Sequence, residues 1–103
     1  MKRIILLAFL CTTTLVMAQR INHVQEAIAN YDYEAALTLI AKEKPTIPLL
    51  LQKGKAQRGL GMNTEALSTY QEIITNDTAN TRAYIEAAEC CRSLAKYQQA
   101  LKY

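Results

Sequence analysis

Residues 59–73 have the sequence GLGMNTEALSTYQEI, which joins a turn to a helix. Gly61 is suited to the left-handed conformation in which many helices end. The residues after it carry apolar side chains at the spacing of one helix face, namely Ala66, Leu67, Tyr70, Ile73 and Ile74. This stretch predicts two helices joined by a tight turn.

Two other stretches repeat the pattern, residues 30–40 (NYDYEAALTLI) and residues 93–103 (SLAKYQQALKY). Ala36 and Ala100 stand at the places in these stretches that correspond to Ala66, thirty positions before it and thirty-four after it. No segment alternates as a half-buried strand would. We therefore expect an all-α chain of short helices in antiparallel pairs.

Helix boundaries are also marked in the sequence. Asp32 and Asn80 stand where helix N-caps are expected, because their side chains can accept a hydrogen bond from the first turn. Pro45 should end the helix before it, since proline disfavours a helical residue on its N-terminal side.

The longer of these two spacings, about 34 residues, is the period of the tetratricopeptide repeat, and the chain resembles this family. Ala66 with Tyr70 matches the alanine and aromatic residue of the second helix, and Gly54 and Gly61 match a small packing residue and the turn glycine. Lys96 looks like the start of a further second helix. The resemblance implies a right-handed solenoid of antiparallel helix-turn-helix repeats at about 19–46, 47–80 and 81–103, the third being incomplete.

The N-terminal segment is typical of a secretory signal. A basic start with Lys2 and Arg3 is followed by apolar residues 4–10, and Ala18 fits the cleavage-site preference. We expect residues 1–18 to be a signal peptide and the chain to be exported, to a bacterial periplasm or cell envelope. A retained membrane anchor is one alternative, although residues 4–18 are fewer than the roughly 20 that a spanning helix needs. Lipidation at Cys11 is the other, although the bulky Leu10 stands where such signals have a small residue.

Net charge argues against a nucleic-acid partner. The formal charge is +3, from 12 Lys and Arg against 9 Asp and Glu. Cleavage of the signal removes Lys2 and Arg3, so the remaining chain is nearly neutral. Binding to nucleic acid needs a clustered basic surface, which this balance does not predict. Once the signal is cleaved we also expect no stable membrane span.

Residues 53–61, KGKAQRGLG, invite comparison with a phosphate-binding loop because they hold three glycines and three cations. That loop has the signature G-x-x-x-x-G-K-[ST] and follows a strand. Here Gly54 and Lys55 are followed by Ala56, and no strand is predicted before them. We expect a helix in which Gly54 lets two helix backbones approach.

No other residue set predicts catalysis, a metal or a cofactor. Cys90 and Cys91 lack zinc-ligand spacing, and Cys91 falls in an apolar stripe, so both are expected to be buried; a redox or metal role is the alternative. His23 stands alone. Tyr33, Tyr70, Tyr84 and Tyr97 occupy family packing positions and are expected in the core. We expect the chain not to be an enzyme.

The resemblance places a binding groove on the inner face of the first helices. By register its residues are Asn22, Glu26, Leu51, Lys55, Arg58, Arg82, Ile85, Glu89 and Arg92. This mixed, mildly basic surface predicts an extended or helical peptide or protein segment of acidic character as partner. Of the positions with which some family members clamp a C-terminal carboxylate, only Arg82 fits, so that mode is not expected.

Two functions remain open at this point. The first is an exported, non-catalytic scaffold or adaptor that binds a protein or peptide in its concave groove. The alternative is a structural spacer or oligomerisation module N-terminal to a further domain, which could itself be enzymatic. The stripe around Cys91 and Leu94 is expected to be partly uncovered, which favours self-association.

Overall fold

The computed structural model describes residues 19–101, with side chains described for residues 19–98. Helices occupy most of this range, and no strand lies within it. Helix α1 covers residues 19–29 there, and it is followed by α2 (Tyr33–Ala41), α3 (Ile47–Gly59), α4 (Asn63–Asn76) and α5 (Thr81–Leu101). The expectation of an all-α fold is confirmed. The predicted signal peptide, residues 1–18, lies outside the described residues.

The turn between α3 and α4 has the geometry that the glycine predicts. Gly61 has a φ of 76°, and its N–H donates to the carbonyl of Arg58 at 3.0 Å. The next N–H, of Met62, donates to the carbonyl of Gln57 at 2.9 Å. This pair of bonds is the Schellman motif, which satisfies carbonyl groups left free at a helix end.

The turn between α1 and α2 repeats this motif with a different residue. Tyr31, thirty positions before Gly61, has a φ of 60°. Its N–H donates to Ile28 at 3.0 Å, and that of Asp32 donates to Ala27 at 2.8 Å. The same turn geometry therefore joins α1 to α2 and α3 to α4.

Side-chain caps begin α2 and α5 where the sequence predicts them. Asp32 accepts from the N–H of Ala35 at 3.3 Å, and Asn80 accepts from that of Ala83 at 3.0 Å. Thr46 caps α3 in the same way. Helix α2 ends at Ala41, before the predicted stop at Pro45. Each cap satisfies one of the N–H groups that a helix start leaves unpaired.

The core forms two clusters that share α3. The first, from α1, α2 and α3, contains Val24, Ile28, Ala36, Ile40, Leu49 and Ala56. The second, from α3, α4 and α5, contains Leu50, Ala66, Tyr70, Ile73, Ala83 and Cys90. Each helix thus packs against its neighbours along the chain, and α3 contributes to both clusters.

Gly54 has a packing role, but with a side chain rather than a backbone. A Cβ atom added there would lie 2.4 Å from Cζ and 2.8 Å from the hydroxyl oxygen of Tyr70 on α4. Gly59 similarly leaves room for the ring of Tyr33, 2.4 Å from such an atom. The prediction that Gly54 lets two helix backbones approach is therefore corrected: the glycine admits a tyrosine ring.

Helix α5 is continuous from Thr81 to Leu101, so no separate helix starts at Lys96. One repeat spacing after the turn glycine Gly61, the chain has Ala95. Alanine favours a helix interior by about 1 kcal/mol over glycine. Residues 81–101 also lack Gly, Pro, Asn and Asp. The helix therefore continues through the position where a turn was expected.

The burial of α5 residues differs from the prediction on one face. Tyr70 is 1% exposed and confirms its predicted core position, but Tyr84 is 48% exposed and Tyr97 is 65% exposed. Cys90 is fully buried, whereas Cys91 is exposed. The face with Tyr84 and Cys91 points away from α4, and no described helix covers it. The prediction that Cys91 is buried was therefore wrong, whereas the expectation that the stripe around Cys91 and Leu94 is partly uncovered is confirmed.

Candidate binding concavity

Side chains of α1, α3 and α5 line a concavity of about 350 Å³, to which α4 contributes one residue. Ile21 and Gln25 come from α1, and Tyr70 comes from α4. The remaining lining residues are Pro48, Leu51, Gln52, Lys55 and Arg58 of α3, and Arg82 and Glu86 of α5. The concavity therefore spans both helix pairs and the helix after them.

Helical spacing explains how α3 supplies half of this surface. Leu51, Lys55 and Arg58 are separated by four and three residues, so they lie on one side of the helix. Pro48 stands in the first turn of α3, where a missing N–H costs no helical hydrogen bond. The result is a row with an aliphatic residue at one end and two cations further along.

An ion pair links α3 to α5 across the concavity. Arg58 donates a hydrogen bond from Nη1 to the Glu86 carboxylate, and both side chains are largely shielded from solvent. Burial opposes the charge of Arg58, but the hydrogen bond and the negative charge of Glu86 outweigh it and raise the Arg58 pKa. The pair connects the two helices within the lining of the concavity.

Tyr70 of α4 also lines the concavity. Its ring is 1% exposed, and burial, with a contribution from the Glu86 charge, raises its pKa to about 12. The hydroxyl makes no hydrogen bond with the described residues, yet none of their enclosed side-chain polar atoms lacks a partner. Because Tyr70 lines the concavity, its hydroxyl can donate or accept a hydrogen bond with a ligand there.

The charge around the concavity is positive. Lys55, Arg58 and Arg82 line it against one acid, Glu86, which Arg58 already binds. Lys55 and Arg82 are exposed, and neither forms an ion pair with a described residue. Two uncommitted cations beside aliphatic surface can attract a carboxylate-bearing ligand.

Four of the nine predicted groove residues line the concavity: Leu51, Lys55, Arg58 and Arg82. The other five do not. On α1 the lining residues are Ile21 and Gln25, one position before the predicted Asn22 and Glu26, which are exposed. On α5, Glu86 lies in the concavity, and three predicted residues lie outside its lining, Ile85, Glu89 and Arg92.

The α5 residues outside the concavity have other surroundings. Ile85 is 57% exposed, and Arg92 donates a hydrogen bond to Glu89 three residues earlier on the same helix. Tyr70 was expected only as core, because its place in an apolar stripe gives no sign that the hydroxyl end reaches a surface. The residue type itself could have indicated this, because the hydroxyl at the end of a buried tyrosine still needs a polar neighbour or water.

Residues 53–59 lie inside α3, followed by the turn at Gly61, so the glycines here do not form a phosphate-binding loop. Within the described residues, His, Cys, Asp and Glu side chains nowhere gather in groups of three that could hold a metal ion. Helices long and apolar enough to cross a membrane are likewise absent from this described part. His23 is exposed on α1.

Comparison with known proteins gave no relative. No protein-family model, no curated protein and no solved structure matches this chain. Its function is therefore inferred from the concavity, the repeated turns and the two clusters described above.

Proposed function

We propose that this chain is a non-catalytic scaffold of the tetratricopeptide-repeat type, which binds an acidic segment of a partner protein in the concavity. The repeated turn geometry at Tyr31 and Gly61 supports helix-pair repeats. The two clusters that share α3 support a stacked arrangement, because repeat units bury their faces on their neighbours. A right-handed solenoid is the arrangement that this proposal implies.

The main support for this proposal is that helices α1, α3 and α5 together line one cationic concavity. Lys55 and Arg82 come from different helices and can contact separate carboxylates of one ligand. Ile21 and Leu51 offer aliphatic surface beside them. An extended or helical peptide with acidic residues and one or two aliphatic anchors matches this arrangement.

A labelled peptide of alternating Glu and Leu residues is a suitable probe, with a Gln and Leu peptide as its uncharged control. Fluorescence anisotropy should show saturable binding of the acidic peptide that weakens with salt. The double variant Lys55→Glu with Arg82→Glu should raise Kd at least about tenfold, which corresponds to about 1.4 kcal/mol.

The matched control is Lys42→Glu with Lys44→Glu, which makes the same change of net charge on exposed residues outside the concavity. It should change Kd less than about twofold, because exposed distant charges are screened at physiological salt. Equal weakening by both double variants would show that net charge governs binding and that the concavity is not the binding site.

Export is part of the proposal. Residues 1–18 would direct the chain to a periplasm or cell envelope and be removed before Gln19. N-terminal sequencing of the chain recovered from the envelope should begin at Gln19. Recovery of an uncleaved chain in the membrane fraction would instead support the anchored alternative.

One observation favours the second function, a spacer or oligomerisation module. The outer face of α5 exposes Tyr84, Ala88, Cys91 and Ala95, which recur at spacings of four, three and four residues. Such an apolar seam is suited to helix–helix association. Sedimentation velocity tests it: a concentration-dependent dimer that Ala88→Glu abolishes would favour the module, and a monomer at all concentrations would exclude self-association.

A further inference from the structure

A second hollow lies between α2, α3 and the loop that joins them, away from the concavity. Its volume is about 390 Å³. Four aliphatic side chains form its apolar wall, Leu37, Ile40, Leu49 and Leu50. Helix α2 has 9 residues where α4 has 14. The hollow follows from this difference, because the chain leaves α2 at Ala41 and crosses to α3 without another helical turn.

A buried amide lies in the wall of the hollow. Gln57 is 7% exposed, and its Oε1 accepts from the hydroxyl of Thr69 at 2.6 Å. The amide nitrogen has no acceptor among the described residues, and none of their enclosed polar atoms is unpaired. Gln57 lines the hollow, so its amide can hydrogen-bond to a ligand there.

A cation stands one helical turn from this amide. Lys53 precedes Gln57 by four residues, so both lie on one side of α3 and both line the hollow. Lys53 is half-buried and forms no ion pair with a described residue. Glu43 is also at the hollow, but Arg20 donates to both of its carboxylate oxygens at 2.9 Å. Arg20 therefore compensates the charge of Glu43, whereas no described residue compensates the charge of Lys53.

We propose that this hollow binds an aliphatic carboxylate of the medium-chain fatty acid class. The alkyl chain packs among the four aliphatic side chains, and the carboxylate accepts hydrogen bonds from the Gln57 amide and the Lys53 ammonium. Small-molecule sites have volumes of roughly 300–1,000 Å³, apolar walls and a few converging polar groups, as this hollow has. The proposal is independent of peptide binding in the concavity.

Isothermal titration of the full chain with decanoate, below its micelle concentration, tests this site. Decanoate should bind saturably with one ligand per chain, decanol at least about tenfold more weakly, and decyltrimethylammonium not at all. Lys53→Met should raise the Kd for decanoate about tenfold and leave decanol unchanged, because only the charge-assisted hydrogen bond is lost. Lys44→Met, an exposed lysine outside the lining, is the matched control and should change neither.

A blocking variant locates the site. Ala41 is exposed and lines the hollow, so Ala41→Phe adds a ring there without removing any core side chain. It should abolish decanoate binding while the helical circular-dichroism spectrum is retained. Unchanged decanoate binding in Ala41→Phe, equal binding of all three amphiphiles, or no saturable binding would each overturn the proposal. Competition by phosphatidylglycerol vesicles would assign the hollow to membrane lipid and overturn the free-acid ligand.

Discussion

Gly54 of α3 and Tyr70 of α4 pack so closely that a Cβ atom on the glycine would lie 2.4 Å from Cζ of the ring. The ring is fixed there because Tyr70 is 1% exposed. The same tyrosine lines the concavity. One contact therefore links the packing of the second helix pair to the geometry of the concavity.

We expect Gly54→Ala to destabilise the fold although alanine is the better helix former. Overpacking a filled core costs about 1–3 kcal/mol, which exceeds the gain of about 1 kcal/mol in helix propensity. Urea unfolding measures the difference. In a Tyr70→Leu background, which removes the ring, the same substitution should be neutral or stabilising; an equal loss in both backgrounds would contradict the contact.

Gly61→Ala tests the turn without any steric contact. A Cβ atom there meets nothing within 4 Å, but the φ of 76° is unfavourable for alanine. The expected loss of unfolding free energy is about 1 kcal/mol. Gly61→Asn should cost less, because asparagine tolerates this conformation better. Equal stability of the wild type and Gly61→Ala would mean that the turn is not left-handed in solution.

Stability should fall at high pH because of Tyr70. Its pKa of about 12 in the folded chain exceeds the ordinary value of 10.0, so the folded state holds the proton more tightly. The contribution is complete below pH 10 and is lost as the pH rises towards 12, by about 1–3 kcal/mol. Urea unfolding at successive pH values measures it. Tyr70→Phe should remove this part of the decline, and an unchanged decline would contradict the assignment.

The two adjacent cysteines should differ in reactivity. Cys91 is exposed, whereas Cys90 is buried and burial raises its thiol pKa. In a Cys11→Ser background, a disulfide reagent should therefore modify one thiol rapidly and the other only after unfolding. Cys91→Ser should eliminate the rapid phase. Two rapid thiols in the native chain would contradict the burial of Cys90.

Local chemistry in the sequence predicted one turn and two helix starts. Asp32, Asn80 and Gly61 act through their own side chains or backbone freedom, and the structure confirms all three. These features need no knowledge of distant residues, so the sequence alone was sufficient for them.

Burial on α5 was predicted only in part, because the stripe around Cys91 and Leu94 was expected to be partly uncovered while Cys91, Tyr84 and Tyr97 were expected to be buried. The stripe with Tyr84 and Cys91 has the spacing of a packed helix face, but burial also requires a neighbouring helix, and no described helix covers it. Periodicity states which residues share a face and not what lies opposite them. A turn was expected before Lys96 because Ala100 aligns with Ala66, whose helix follows a turn. Residues 94–96 favour a helix, and α5 continues through them.

The sequence predicted only part of the concavity, because the lining depends on the exact register of each helix. On α3 the glycine turn fixed the helix register, and Leu51, Lys55 and Arg58 all line the concavity. On α1 the lining residue is Gln25 where Glu26 was expected. Adjacent residues differ by about 100° around a helix, so an error of one position moves a side chain off the surface.

The central claim, that the concavity is the binding surface, is tested most directly by nuclear magnetic resonance. Amide and side-chain shifts of the isotope-labelled chain would be followed during titration with the acidic Glu and Leu peptide. If the peptide binds in the concavity, the largest shift changes will map to its lining residues Gln25, Gln52, Lys55, Tyr70 and Arg82. Changes confined to the outer surfaces of α2 and α4, with these five residues unaffected, would contradict it.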